Sequence, residues 1–180
     1  DAGDSSPTSD TSQGLIQWVY FDWKWVGGFG TNLWNDAGAG FNPDGTQRNW
    51  SYSGSHPTPP PYPDASTEDV WIQGANSCTL DGDFSVRAMS ITSGATLISQ
   101  AASARTLTIY GTAFKSTVGN FTANDGTVAF SGALAQTVLI IGSSDPFNNL
   151  RIDKSGGVAS LGTSLSVMSV TTVRQGTFDL

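Results

Sequence analysis

Apolar and polar residues alternate along most of this chain in short runs, and no stretch shows the 3.6-residue spacing of a helix. Four phrases repeat the pattern: Ile91-Thr-Ser-Gly-Ala-Thr-Leu97, Thr122-Ala-Asn-Asp-Gly-Thr-Val-Ala-Phe130, Ile152-Asp-Lys-Ser-Gly-Gly-Val-Ala-Ser-Leu161 and Val173-Arg-Gln-Gly-Thr-Phe-Asp-Leu180. Each reads as an alternating strand, a glycine turn and a second short strand. The glycines Gly94, Gly126, Gly157 and Gly176 lie 32, 31 and 19 residues apart. A constant local phrase at uneven intervals predicts an all-β, right-handed parallel β-helix (a β-solenoid), whose coils bury their apolar faces only by stacking. A sandwich or barrel is the competing all-β solution. Short strands, scarce hairpin dipeptides and recurring turn-plus-strand phrases favour the solenoid. Strands are predicted at 69–73, 77–80, 84–91, 95–98, 106–110, 118–122, 127–130, 136–141, 149–153, 158–160, 164–173 and 177–180. Asparagines such as those of Phe147-Asn-Asn-Leu150 suit coil corners, where they tolerate the left-handed region and can bond the neighbouring coil.

The segment before residue 69 has a different texture. Residues 1–14 are polar and acidic and predict a flexible start to a processed chain. Residues 15–26 alternate strongly, with Val19, Phe21, Trp23 and Trp25 on one face and Trp18, Tyr20, Asp22 and Lys24 on the other. Residues 27–69 are rich in Gly, Asn and Pro, ending in a proline run that suits an ordered loop rather than sheet. The expected division is a flexible tail (1–14), an aromatic-rich cap and loop (15–68), and β-helix coils (69–180). Thr177-Phe-Asp-Leu180 stops in mid-strand, which predicts coils continuing in a longer parent.

Charge narrows the partners. The charged fraction is only 13%, so Thr, Ser and Asn carry the polar positions, as β-structure favours. Residues 1–69 hold nine acids against Lys24 and Arg48, which accounts for the whole net charge of −7; residues 70–180 balance six acids with six bases. No basic patch invites nucleic acid, and no apolar run is long enough to span a membrane as a helix. Cys78, the only cysteine, sits inside an alternating run and reads as a small core residue.

Two stretches resemble a known family. Trp25-Val-Gly-Gly-Phe-Gly-Thr-Asn-Leu-Trp-Asn35, followed by Asn49-Trp50, Pro63 and Asp69-Val-Trp-Ile72, resembles an opening module of large secreted bacterial proteins that leads into a right-handed β-helix. Phe147-Asn-Asn-Leu-Arg-Ile-Asp-Lys-Ser-Gly-Gly157 and Gln175-Gly-Thr-Phe-Asp-Leu180 are similar to repeats of autotransporter-like and outer-surface adhesins. The stretch 36–62 departs from the pattern in being longer and richer in proline. The resemblance implies an exported, surface-associated or matrix protein, extracellular or on the cell surface. It transfers no catalytic residue.

Three constellations carry candidate chemistry. Trp18, Tyr20, Trp23, Trp25, Trp34 and Trp50 crowd one window. Their faces could stack on sugar rings or meet another protein, or they could cap the first coil and cover an edge open to other chains. Asp81, Asp83 and Asp125 offer oxygens for calcium, but Asp-Gly pairs are also ordinary turn chemistry, and neither stretch matches a known calcium loop. Asp81 and Asp83 also have the spacing of a glycosidase carboxylate pair, as any Asp-x-Asp does. No nucleophile elbow is present, and His56 lies among prolines. Asn49-Trp-Ser51 and Asn120-Phe-Thr122 fit the glycosylation sequon incidentally.

The expected function is structural: a surface, fibre or matrix subunit, or an adhesin stalk, acting through a stiff self-associating solenoid. No cofactor is required, calcium being the weak exception. The partners expected are copies of itself, other surface proteins and glycans. The alternatives are a carbohydrate-binding module built on the tryptophan cluster, and a polysaccharide-degrading β-helix enzyme.

Overall fold

The computed structural model describes residues 23–27, 31–35, 49–52, 62–74, 77–92, 94–111, 113–117, 120–141 and 147–180. Among them are thirteen strands and no helix: β1 (Trp23–Trp25), β2 (Trp50–Tyr52), β3 (Ala65–Ile72), β4 (Ser77–Leu80), β5 (Phe84–Thr92), β6 (Thr96–Ser99), β7 (Thr106–Ile109), β8 (Ala113–Thr117), β9 (Asn120–Thr122), β10 (Thr127–Gly132), β11 (Gln136–Ile141), β12 (Asn149–Leu161) and β13 (Thr171–Asp179). All pairings are parallel except β1 with β2. The result is an all-β solenoid of about 5 turns.

The solenoid has three walls. On the first, residues 84–86 of β5, then β7, β10, the start of β12 and the start of β13 stack in order. On the second, β1, β3, residues 89–92 of β5, β8, β11 and the end of β12 follow one another. The third is the separate sheet β4-β6-β9, extended by the isolated bridges Leu33–Thr79 and Phe147–Val167. Both β5 and β12 run through a corner unbroken and serve two walls.

Apolar positions form columns down the inside. Val86, Ile109, Phe130 and Ile152 pair in succession, and each is fully buried. A second column runs Phe84, Leu107, Val128, Leu150, and a third Val70, Met89, Phe114, Val138. Period-2 alternation in the sequence becomes one filled core because successive coils keep register. Phe114, Phe121 and Phe147 close the interior with mutual edge contacts at 5.3–5.8 Å.

Several expectations need correction. The coil repeat is not the glycine spacing: Thr106 aligns with Thr127 and Thr127 with Asn149, giving coils of 21 and 22 residues. Of the four phrase glycines, Gly94, Gly157 and Gly176 have positive φ and Gly126 does not; Gly157 and Gly176 share one corner in successive coils, while Gly94 and Gly126 stand at the other two. β12 is continuous where two strands were expected, the Gly156-Gly157 pair being absorbed within it. Residues 164–170 are not a strand, apart from the Val167 bridge. Of the alternating segment 15–26, the described strand Trp23–Trp25 lies in the sheet between β2 and β3. The coils take in residue 65, and the expected tail at 1–14 lies outside the described residues.

One corner between the first two walls requires glycine. Gly132 has φ of 85°, and a Cβ there would lie 2.9 Å from the Tyr110 carbonyl oxygen of the preceding coil. Replacing it by alanine combines left-handed strain with a backbone clash that cannot relax cheaply. Gly132→Ala is expected to cost about 2 kcal/mol, a fall in melting temperature of about 4–8 °C by circular dichroism. Gly156→Ala, whose Cβ would sit 3.4 Å from the Ala133 carbonyl, is expected to lose less than half of that.

Candidate functional site

The described tryptophans of the expected site are core residues. Trp23, Trp25, Trp34 and Trp50 are 0–1% exposed. Trp50 is the hub, with ring centroids at 4.7 Å from Trp34, 4.9 Å from Trp25 and 6.4 Å from Trp23. Trp34 stacks on Phe84 at 5.2 Å and thereby joins the cluster to the first wall. The indole N–H groups pin loops: Trp50 Nε1 donates to the Trp34 carbonyl and Trp34 Nε1 to the Pro63 carbonyl, both at 2.8 Å. Of the two readings open for this cluster, burial favours packing against the first coil, since none of the four exposes a ring face. Trp18 and Tyr20 lie outside the described residues.

The acidic residues are engaged by backbone amides. The Ser85 N–H donates to Asp64 Oδ1 at 3.0 Å and the Thr106 N–H to Asp83 Oδ1 at 2.7 Å, each bond crossing to the next coil. The Asn35 N–H donates to Asp81 Oδ1 at 3.2 Å. Asp81 and Asp83 therefore serve opposite neighbours rather than converging on one point. Asp125 contributes its backbone carbonyl, 3.4 Å from Asn149 Nδ2. No group of three His, Cys, Asp or Glu side chains fit to hold a metal occurs among the described residues.

The expected asparagine chemistry appears at Asn149, whose Nδ2 donates to the Asp125 and Gly126 carbonyls of the preceding coil at 3.4 Å, and its left-handed form appears at Asn124. Asn124 takes a positive φ of 42°, and its amide donates to the Ser99 carbonyl of the coil below. Asn49, in the first sequon, is buried, with its amide donating to the Thr31 carbonyl at 2.8 Å, so its nitrogen is not presented for glycosylation. Cys78 is buried in a column with Leu97 and Phe121, and burial, reinforced by the Asp81 charge, raises its thiol pKa well above the usual value. It is an inert core residue.

Two features were not singled out from the sequence. The first is Lys154, fully buried on β12. Its Nζ donates to the carbonyls of Leu134 (2.5 Å) and Ser131 (3.2 Å) and to Gln136 Oε1 (2.7 Å). Gln136 Nε2 in turn donates to the Ile109 carbonyl at 2.7 Å, so one polar network ties three coils. The parity of Leu150, Ile152 and Lys154 signals an inward lysine.

The second is Trp71, which is partly exposed on the outer face of β3 because Val70 and Ile72 point inward. Its Nε1 donates to Thr92 Oγ1 at 2.9 Å, and Lys24 Nζ lies 5.9 Å from its ring centroid. Beside it Asp69 and Arg87 form a bidentate ion pair at 2.7 Å.

No protein-family model, no curated protein and no solved structure matches this chain. No helix among the described residues is long and apolar enough to cross a membrane. What the geometry supplies is stacking, with polar groups spent on joining coil to coil.

Proposed function

We propose that this chain is an extracellular structural element: a surface, fibre or matrix subunit, or the stalk of an adhesin, acting through the stiffness and self-association of its solenoid. The observation that carries this reading is the unbroken parallel ladder over filled columns, in which carboxylates, amides and a buried lysine all bond neighbouring coils. Backbone groups paired along the axis make such a body stiff, and copies joined end to end would extend it at about 4.8 Å per coil.

Self-association has a physical route. β13 pairs with β12 and is otherwise exposed; Val173, the next member of the Val86 column, is 51% exposed. Below it, Leu150, Leu161, Leu165, Val167 and Phe178 line a cavity of about 390 Å³. A further parallel strand laid on β13, whether from the same chain or from a second copy, continues the ladder by the same pairing. Sedimentation velocity at rising concentration, with negative-stain microscopy of the same samples, is expected to give rods or filaments that lengthen with concentration. Discrete monomers at every concentration would overturn the self-association.

A further inference from the structure

The geometry points to a second, inverted copy of this chain as the occupant of the open end at β13, joined head to head. This rests on the self-association proposed above and names its partner and its polarity. Three observations carry it.

The first is where apolar surface is exposed. Among the described residues, the large exposed apolar side chains are Leu134 and four that stand at this end: Met168, Val170, Val173 and Leu180. They surround the cavity over Leu150, Leu165 and Phe178. β13 pairs only with β12, so the same end also presents a free edge of backbone groups. The described part of the opposite end is different: its tryptophans are buried, and the antiparallel β2 closes the sheet. A copy stacked in the same direction therefore brings no matching apolar face to β13, whereas an inverted copy brings an identical one.

The second is the pattern of β13 itself. Thr171 and Val173 stand over Leu150 and Ile152, and Phe178 stands over the buried Ala159, so these three face the interior. Leu180 follows by alternation and lines the cavity. Thr172, Thr177 and Asp179 face outward by the same alternation. Arg174 falls at the bulge between Val173 and Gln175 and is exposed. The strand turns its corner at Gly176, where φ is 86° and a Cβ would meet Lys154.

The third is what a two-fold axis through that corner does. Placed between Gln175 and Gly176, it lays a second β13 antiparallel on the first. Thr171 then opposes the partner's Leu180, Val173 the partner's Phe178, Thr172 the partner's Asp179 and Arg174 the partner's Thr177. Inward residues meet inward residues and outward meet outward, so the two interiors join into one. A slip of one residue would set Val173 against the outward Asp179 and lose the match. Arg174 comes within diagonal reach of the partner's Asp179, about 7 Å, and symmetry repeats that pair of opposite charges.

The test is sedimentation velocity of the whole chain with variants of β13, together with disulfide trapping. The parent is expected to dimerise as concentration rises. Val173→Asp, which changes a side chain already 51% exposed, is expected to weaken the dimer at least tenfold while circular dichroism stays that of the parent. Arg174→Asp is expected to weaken it several-fold, and Arg174→Asp with Asp179→Arg to recover most of the loss. Thr172→Cys and Asp179→Cys, mixed under mild oxidation, are expected to give a disulfide-linked dimer that neither gives alone, because the native Cys78 is buried. Should Val173→Asp fail to fold, the trapping decides. Association that survives Val173→Asp unchanged, or a mixture that links no better than either variant alone, overturns this joint and leaves self-association standing. Monomers at every concentration overturn both. Trapped dimers that never lengthen keep the joint and remove filament growth from the proposed function.

Discussion

Trp50→Ala is expected to lower stability by about 3–5 kcal/mol, a drop in melting temperature of about 10–20 °C. Trp50 is the ring that touches the other three described tryptophans of the cap, at 4.7–6.4 Å, and it is 1% exposed. Truncation leaves a cavity that cannot collapse, because the surrounding indoles are themselves held: Trp34 by its bond to the Pro63 carbonyl, Trp23 and Trp25 by the β1 ladder. It also removes the donor to the Trp34 carbonyl. Trp50→Phe keeps most of the packing and loses that bond, so about 1–2 kcal/mol is expected. Urea unfolding of the two variants separates the contributions. If Trp50→Ala melts within a degree or two of the parent, the cap is not what holds the first coil.

Lys154→Met is expected to cost about 3 kcal/mol, and Lys154→Glu more. Methionine matches the length of the side chain but leaves the carbonyls of Ser131 and Leu134 and the Gln136 oxygen without their donor in a dry interior. Glutamate sets a carboxylate against the same three oxygens. The network also gives stability a pH signature. Desolvation by burial holds the Lys154 pKa below the usual lysine value. The folded chain therefore sheds this proton at a lower pH than the unfolded chain does. Between the depressed pKa and the ordinary value the unfolded state binds more protons, so this group makes stability rise with pH; below that interval both states are protonated and its contribution is flat. Denaturation curves at stepped alkaline pH are expected to show that rise in the parent, relative to Lys154→Met.

Alternation made much of this fold legible. Ser77–Leu80 and Gln136–Ile141 were readable to the residue because both are short, regular and bounded by turn residues. The coil period was not, because only Gly157 and Gly176 share a corner, and the other glycine spacings run between different corners. Gly156-Gly157 looks like a turn in one dimension. In three, it lets the chain bend around Ala133–Ala135 while the ladder continues, a choice that only the neighbouring coil makes. The tryptophans were legible as a cluster and illegible in direction: with aromatics at both parities of residues 18–25, nothing local says which face is inside. Trp71 was the opposite case, since Val70 and Ile72 fix its outward parity, yet it stands apart from the cluster that drew attention. Asp83 could be read as a ligand or as a turn acid, and the amide that decides it, that of Thr106, belongs to the next coil.

Because β5 and β12 turn their corner without a break, two of the three walls are joined by covalent backbone as well as by the ladder, whereas β4-β6-β9 stands as its own panel. In cross-section the molecule is an angle iron closed by a looser plate. Flexure that shears the walls sharing β5 and β12 distorts continuous strands and their ladder, while flexure that moves the third panel works against short loops and side-chain packing. A preferred bending direction is therefore expected, with the β4-β6-β9 seam the first to open under load.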